Sequence, residues 1–307
     1  MTRRPDETPT LPALRIAAAI AIALVAIVAV PSAVGLGLAE DKGDTAPDEA
    51  KVEQQRVQIH KEIATIQRHP WAGEYYEGDG LGANIRMSLA PNAGVAATWH
   101  GCMGLYGANR GKVMMRDGEL RFEYEQPNRQ GFGGFPDALR PVRWGARRYM
   151  ISDGKRIAFV NAINHGREPR NVVHGMFLLA QGDEKKAAGG LPDLPPADLA
   201  LIRRTPMQVR VVSIDHVEKK KSDKDCSFTY RMTLDRGTND RLAPGIELKP
   251  VAQPRVWETA TIQTAAARTS TATLAVWFDD CAHPKTVPAA GWTLSTGAYD
   301  VTKADAR

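Results

Sequence analysis

The chain has 307 residues, more than one typical domain, so it has room for two compact units. With 43% hydrophobic and 24% charged residues it has a globular composition, and its 27 glycines and 20 prolines favour the many turns of β structure. The formal net charge is only +5, and the densest basic run, residues 219–225, has no aromatic side chain to stack on a base, which argues against a nucleic-acid partner.

The chain opens with an apolar segment long enough to cross a bilayer. Residues 16–30 contain no polar side chain, and the apolar character continues to Ala39. Arginines precede this run and an acidic stretch follows it, so the positive-inside rule predicts a cytoplasmic tail over residues 1–13 and one transmembrane helix, or signal anchor, over residues 14–38. The protein is then expected at the inner membrane, with its remaining domains in the periplasm.

A cleaved signal peptide is the alternative. Gly37 and Ala39 are small residues at the positions that signal peptidase requires, so cleavage after Ala39 would release a periplasmic protein. The length of the apolar run and Pro31 within it favour a retained anchor instead. Both outcomes export the main body of the chain.

A helix is predicted over residues 48–68 as a stalk between the membrane and the first domain. Its apolar stripe consists of Val52, Ile59, Ile63 and Ile66. Pro70 forbids continuation of the helix. The stripe leaves two arrangements open, since it could pack on the following domain or pair with another helix.

From Trp71 the hydrophobic period changes to two. The alternation predicts an antiparallel β-domain over residues 69–182, with about eight strands that form a barrel or a sandwich. Residues 155–161 are included as one strand. Asp-Gly pairs such as Asp117-Gly118 separate several runs, and this pair supplies the positive φ that tight hairpins need.

Residues 183–206 have the composition of a linker, and a second strand pattern follows. We expect a smaller β-barrel of about five or six strands over residues 207–303. The predicted fold class is therefore mainly β, with a transmembrane helix, a stalk helix and two β-domains.

Two of the three cysteines stand at the ends of strand runs in the second domain. Cys226 begins one run and Cys281 ends another, so antiparallel pairing of these strands would bring the two thiols to bridging distance. Export supplies the oxidising setting, and a disulfide between Cys226 and Cys281 is predicted.

Cys102 is then the unpaired cysteine. His100 precedes it by two residues, and in a strand both side chains would point to the same face, which leaves a thiol enzyme as an alternative. Gly101 and Gly104 mark a strand end more simply. The remaining histidines lack the spacing of a metal site, and no motif for a cofactor is present, so no metal and no cofactor are expected.

The segment from Pro141 to Arg170 groups arginine with aromatic and amide side chains, which can form a polar ligand site. The candidate ligand-binding residues are Trp144, Arg148, Tyr149, Asn161, Asn164, Glu168 and Arg170. The alternative is a structural rim, in which ion pairs and amide contacts lock a hairpin and its exit loop.

Short motifs resemble known groups of proteins. "HPWAGEYYEGDG", "VRWGARRYMI" and "NHGREPR" together resemble membrane-tethered or exported β-rich bacterial proteins to which no activity is assigned. The W-x-G-x-Y at the start is similar to the first strand of lipocalin-type and avidin-type barrels. The C-terminal pattern resembles the small barrel of certain flagellar and envelope-assembly proteins, with its elements at Asp235, Gly237, Gly245, Ile246 and Leu248.

These observations favour binding or envelope assembly over catalysis. The expected partner is an envelope protein, or else a small ligand held inside a lipocalin-like barrel. A thiol-dependent or other hydrolase built around Cys102 or the segment from Trp144 to Arg170 is the further alternative.

Overall fold

The computed structural model describes residues 49–66, 68–78, 84–129, 133–172, 175–221, 226–251, 258–278 and 287–297. The chain divides into two units, Met1–Asp44 and Thr45–Arg307, and every described residue belongs to the second unit. The predicted cytoplasmic tail, the membrane segment over residues 14–38 and the alternative cleavage site therefore lie outside the described residues. Within the described stretches, no helix combines the length and the apolar character needed to cross a membrane.

The helix α1 (Glu49–Thr65) precedes the β structure and ends three residues before the predicted limit of residue 68. Its side chains Val52 and Ile59 are buried against small alanine side chains of the barrel wall. Of the two arrangements that the sequence left open, the helix therefore adopts the first and packs on the following domain.

Eight antiparallel strands form the first barrel. They are β1 (Gly73–Glu77), β2 (Asn84–Ala90), β3 (Gly94–Gly101), β4 (Gly104–Arg116), β5 (Glu119–Tyr124), β6 (Ala138–Trp144), β7 (Arg147–Ile151) and β8 (Phe177–Ala180). Each strand pairs with the next, and β1 pairs with β8, with Tyr75 opposite Ala180. Of the barrel and the sandwich that the alternation left open, the structure has the barrel.

The alternating pattern of the sequence explains the strands. In β5, Leu120 and Phe122 are buried while Arg121 and Glu123 are exposed, as the two faces of a barrel wall require. The inward side chains pack into one cluster that occupies the barrel interior. It includes Tyr75, Ile85, Met87, Leu89, Val95, Trp99, Val113, Leu120, Phe122, Leu139, Met150 and Leu178.

One predicted strand is a helix. Residues 155–161 belong mainly to α2 (Arg156–Asn164), which crosses the outer face of the barrel between β7 and β8. Every residue from Phe159 to Asn164 is buried, so this short run lacks the polar face by which a helical period is recognised. The assignment to a strand was wrong for that reason.

Six further strands form the second sheet. They are β9 (Gln208–Lys221), β10 (Cys226–Leu234), β11 (Glu247–Pro250), β12 (Ala260–Ala265), β13 (Ser270–Phe278) and β14 (Thr293–Ser295). The order β10-β13-β12-β11-β14-β9 closes on itself through pairing of β9 with β10, which makes a smaller barrel. The connection from the first barrel contains the short helix α3 (Pro196–Leu199), and single 3-10 turns occur at residues 153–155, 169–171 and 238–240.

The two barrels share one hydrophobic core. The outward side chains of β6 to β8, the helix α2 and the interior of the second barrel belong to a single cluster of buried residues. Asn161 adds polar contacts at this junction, because its Nδ2 donates to the carbonyl of Gly245 at 2.8 Å and its Oδ1 accepts from the amide of Glu247 at 3.1 Å. Helix α2 therefore lies between the barrels as part of both.

The strand pairing on which the disulfide prediction depends is present. β10 and β13 are antiparallel, with Cys226 opposite Phe278 and Leu234 opposite Ser270. Cys226 is buried. Cys281 lies outside the described residues, so the bridge itself stays a prediction.

Candidate binding groove

A groove of about 760 Å³ lies along β1 and β2 of the first barrel, and its lining includes the outward side chains of Glu74 and Tyr76 as well as Tyr75, Glu77 and Ile85 from the inner face. Helix α1, which packs on β2, β3 and β4, forms one side. The opposite side consists of Arg170, in the turn that follows α2, and of Gln181 and Glu184, which follow β8. Helix α1, the strands β1 and β2, and the segment from residue 170 to residue 184 thus meet around one concave surface.

Arg56 fixes α1 to the barrel wall at the base of the groove. Its Nε donates to Oγ of Ser88 at 3.0 Å, and its Nη2 donates to Oγ1 of Thr98 at 3.2 Å. The remaining contact is an ion pair of 2.7 Å with Glu53, one turn earlier in the helix. The side chain of Arg56 is only 4% exposed, and this burial lowers its pKa. The Nε, Nη1 and Nη2 atoms of Arg56 thus each have a hydrogen-bond partner, and Glu53 supplies a negative charge that compensates the buried guanidinium.

Further polar contacts hold α1 along its length. The Nε2 of Gln55 donates to the carbonyls of Ala93 and Gly111 at 2.8 and 2.9 Å. The carboxylate of Glu62 accepts hydrogen bonds from the amides of Asn92 and Ala93 in the turn between β2 and β3. This side of the groove is consequently a fixed wall, not a loose helix.

The rim of α1 carries two negative charges that face solvent. The side chains of Glu49 and Glu53 are 58% and 56% exposed. Glu49 lies 3.4 Å from the Nε2 of His100, at the end of β3. Both carboxylates remain accessible to a cation in the groove, because more than half of each side chain is in contact with water.

The floor of the groove is polar and internally paired. Glu74 of β1 accepts from the Nε of Arg86 at 2.9 Å and lies 2.8 Å from the Nε2 of His60. Glu77, at the end of β1, is 5% exposed and accepts the amide of Phe177 at 2.9 Å. Burial raises the pKa of Glu77 to about 7, although hydrogen bonds from backbone amides oppose this effect.

Tyr76, Arg170 and Glu184 form the side opposite α1. The hydroxyl of Tyr76 donates to Oε1 of Glu184 at 2.6 Å and accepts a hydrogen bond from Nη1 of Arg170. The guanidinium of Arg170 also lies over the Tyr76 ring, 5.0 Å from its centroid. Burial, and next the hydrogen bond to Glu184, raise the pKa of Tyr76 to about 12.

The charge of the groove differs in sign from that of the whole chain. Its lining contains five glutamates and three arginines, whereas the full sequence carries a net charge of +5. Arg56 is paired with Glu53, Arg86 with Glu74, and Arg170 lies beside Glu184, so the two glutamates in excess are Glu49 on the α1 side and the buried Glu77 on the floor.

The structure places most of the predicted ligand residues outside this groove. The indole of Trp144 donates to the carbonyl of Gly190 and packs among the core aromatics. The hydroxyl of Tyr149 donates to Glu168 at 2.8 Å, and Arg147 pairs with the same carboxylate. These contacts lock β7 to the turn that follows α2.

The other predicted ligand residues also contact protein groups. Asn161 contacts the second barrel, as described above, and Asn164 bridges the carbonyl of Leu201 and the amide of Arg203. The Nε of Arg148 lies 3.4 Å from Asp183. Of the seven candidates, Arg170 alone is among the residues that line the groove.

Cys102 and His100 do not form a pair within the described part of the chain. Cys102 is an exposed free thiol in the turn between β3 and β4, and its Sγ lies 3.6 Å from the hydroxyl of Tyr106. His100 is directed to Glu49 instead. This arrangement does not place a base beside the sulfur.

Sequence reasoning missed the contribution of α1 to the groove. Arg56 follows Val52 by four residues and precedes Ile59 by three, so it stands on the apolar stripe of the helix. A charged residue in such a stripe is a signal that its charge is compensated by the surface beneath. Glu49, Glu53 and Tyr76 carried no comparable signal.

Comparison with protein-family models, with curated proteins and with solved structures gave no match for this chain. Any inference about function therefore rests on the fold and on the groove.

Proposed function

We propose that this is a binding protein of the bacterial envelope, tethered by residues 14–38, which holds a positively charged segment of a partner in the groove beside α1. It is proposed to act without catalysis. The observation that carries the proposal is the pair of solvent-facing carboxylates, Glu49 and Glu53, on a helix that is fixed above a polar floor. A preorganised wall of this kind binds without an ordering cost for the helix.

A lipocalin-like ligand site inside the first barrel has less support. Large side chains, among them Tyr75, Met87 and Trp99, belong to the buried cluster of the barrel interior. A barrel of eight strands is only just wide enough for such side chains to fill. The groove beside α1 is lined mainly by side chains outside this interior cluster.

A hydrolase centred on Cys102 also has less support. A nucleophilic thiol requires a base within hydrogen-bonding reach. The described contact of Cys102 is the hydroxyl of Tyr106, while His100 contacts Glu49. Binding therefore has more support than hydrolysis.

The test is calorimetric titration of the full chain, in detergent micelles, with the blocked peptide acetyl-Gly-Lys-Gly-Lys-Gly-Lys-amide. The matched peptide carries acetylated lysines, which lack the positive charge. We expect binding of the first peptide only. Glu49→Gln should weaken binding about twofold, because one partly exposed charge pair is lost, while Glu53 is left in place because it compensates the buried Arg56.

Glu123→Gln is the matched control, since this exposed glutamate lies on β5 and does not line the groove. It should bind the peptide as the wild type does. Equal affinity for the charged and the acetylated peptide, or an equal effect of the control substitution, would rule out the proposed site.

A further inference from the structure

We propose that the groove recognises a free carboxylate of its partner, with Arg170 as the binding residue. The ligand class would then be a peptide C-terminus that also carries basic side chains. This inference rests on the proposed function, because it assigns a second recognition point to the same groove.

Arg170 differs from the other two arginines of the groove. Arg56 and Arg86 form ion pairs with carboxylates at 2.7 and 2.9 Å. Among the described residues, the guanidinium of Arg170 forms no such pair, and its Nε is buried without a hydrogen-bond partner. The buried Nε does not reach the groove, so the capacity for a ligand acceptor lies with the Nη groups, of which only Nη1 has a partner among the described residues.

The neighbours of Arg170 hold its guanidinium in place without neutralising it through direct contact. The ring of Tyr76 supports one face, and the Tyr76 hydroxyl accepts from Nη1. The nearby carboxylate of Glu184 is used by the Tyr76 hydroxyl and by the amide of Gly182. A planar guanidinium held in one orientation is suited to a planar carboxylate, which can accept two parallel hydrogen bonds.

The charge of the groove favours a singly charged anion. Five glutamates and three arginines line it, so a phosphate dianion would meet more repulsion than a carboxylate. A ligand that carries only a carboxylate would bind weakly, because Glu49 and Glu53 across the groove repel its negative charge. A ligand with ammonium groups towards α1 and a carboxylate towards Arg170 satisfies both sides. A peptide C-terminus with basic residues has these features.

The experiment compares two forms of one peptide on the full chain, again in detergent micelles. Acetyl-Gly-Lys-Gly-Lys-Gly-Lys is titrated with a free C-terminus and as the C-terminal amide. For the wild type we expect the free acid to bind about tenfold more tightly than the amide, as an added charge-assisted contact implies.

Variants of Arg170 test whether this residue binds the carboxylate. In Arg170→Gln the preference for the free acid should disappear, and in Arg170→Lys part of it should return, because the charge is kept without the planar fork. Arg167→Gln is the matched control, since Arg167 is exposed in the same turn and does not line the groove. It should keep the tenfold preference. Thermal unfolding of each variant establishes that the barrels remain folded.

The outcomes separate the two proposals. If both peptides bind the wild type equally, or if Arg170→Gln keeps the preference for the free acid, the carboxylate inference is wrong while the cationic site stands. If neither peptide binds, the proposed function fails and the inference fails with it. Loss of the preference in Arg167→Gln as well would also overturn the assignment to Arg170.

Discussion

Arg56 illustrates how much a single side chain decides in this molecule. It stands on the apolar face of α1, yet its guanidinium contacts Ser88, Thr98 and Glu53. Ser88 and Thr98 are themselves buried in the barrel wall. The helix is attached to the wall through this polar cluster as well as through Val52 and Ile59.

Replacement of Arg56 should therefore loosen α1. Arg56→Ala leaves the hydroxyls of Ser88 and Thr98 buried without their partner, and we expect the free energy of unfolding to fall by about 2 kcal/mol. Urea denaturation measures this change. Lys61→Ala, at an exposed position of the same helix, should change stability by less than about 0.5 kcal/mol. Similar losses in both variants would contradict the role of Arg56.

His165 is a second residue whose surroundings fix its properties. Its side chain is 1% exposed at the junction of the barrels, 4.0 Å from Glu247, and its Nε2 has no hydrogen-bond partner among the described residues. Burial, and next the charges of Lys249 and Arg167, lower the pKa of His165 to about 4.

The lowered pKa of His165 predicts a loss of stability in acid. Between pH 6.5 and about 4 the unfolded chain binds a proton at His165 that the folded chain excludes, so the free energy of unfolding falls as the pH falls through this range. The full effect is of the order of 3 kcal/mol. Urea denaturation of the wild type and of His165→Gln at several pH values measures the difference.

The free energy of unfolding of the wild type, relative to that of His165→Gln, should fall as the pH falls from 7 to 4. Below pH 4 this difference in free energy should become constant. A difference between the two proteins that is independent of pH would refute the prediction. The comparison is made between variants because Glu77, with its raised pKa, favours the folded state in acid and so opposes His165 in the wild-type profile.

Alternation of apolar and polar residues predicted the strands correctly where one face of the strand is buried and the other is exposed to solvent. In β5 the sequence places Leu120 and Phe122 inwards, and the turn at Asp117-Gly118 has the positive φ at both residues that a tight hairpin needs. Helix α2 was mistaken for a strand because tertiary contacts bury it on every side. The hydrophobic period of a short apolar run does not distinguish a buried strand from a buried helix.

The disulfide prediction depends on the register of β10 and β13. Cys226 lies opposite Phe278, three positions before Cys281 in the sequence. Peptide mapping without reduction should join the peptides of Cys226 and Cys281 and find Cys102 free. The closed loop of about 55 residues would stabilise the protein by roughly 3–4 kcal/mol. Free thiols at both positions, or a bridge to Cys102, would contradict it.

The groove could not be predicted from the sequence. The two barrels follow from local alternation, but the groove arises where α1, β1 with β2, and the turns near Arg170 and Glu184 meet. No local pattern specifies that meeting. The segment around Arg170 attracted notice for its composition, yet most of its polar side chains stabilise the fold, and Arg170 alone reaches the groove.

The orientation of the chain in the membrane can be measured directly. The charge asymmetry around residues 14–38 predicts that the C-terminus lies outside the cytoplasm. A reporter enzyme that is active only outside the cytoplasm, fused after Arg307, should be active and should fractionate with membranes. A soluble product that starts at Glu40 would replace the anchor by a cleaved signal peptide. An inactive reporter on a stable fusion would show that export was wrongly predicted.

The core shared by the two barrels limits how this protein can change by recombination. A break in the gene between the barrels would leave the outward aromatic face of β6 to β8 uncovered on one product, and would remove from the other the helix that contacts Gly245 and Glu247. Large apolar surfaces of this kind promote aggregation. The pair of barrels should accordingly be inherited, duplicated or lost together, and neither is suited to serve alone as a transferable module in other chains.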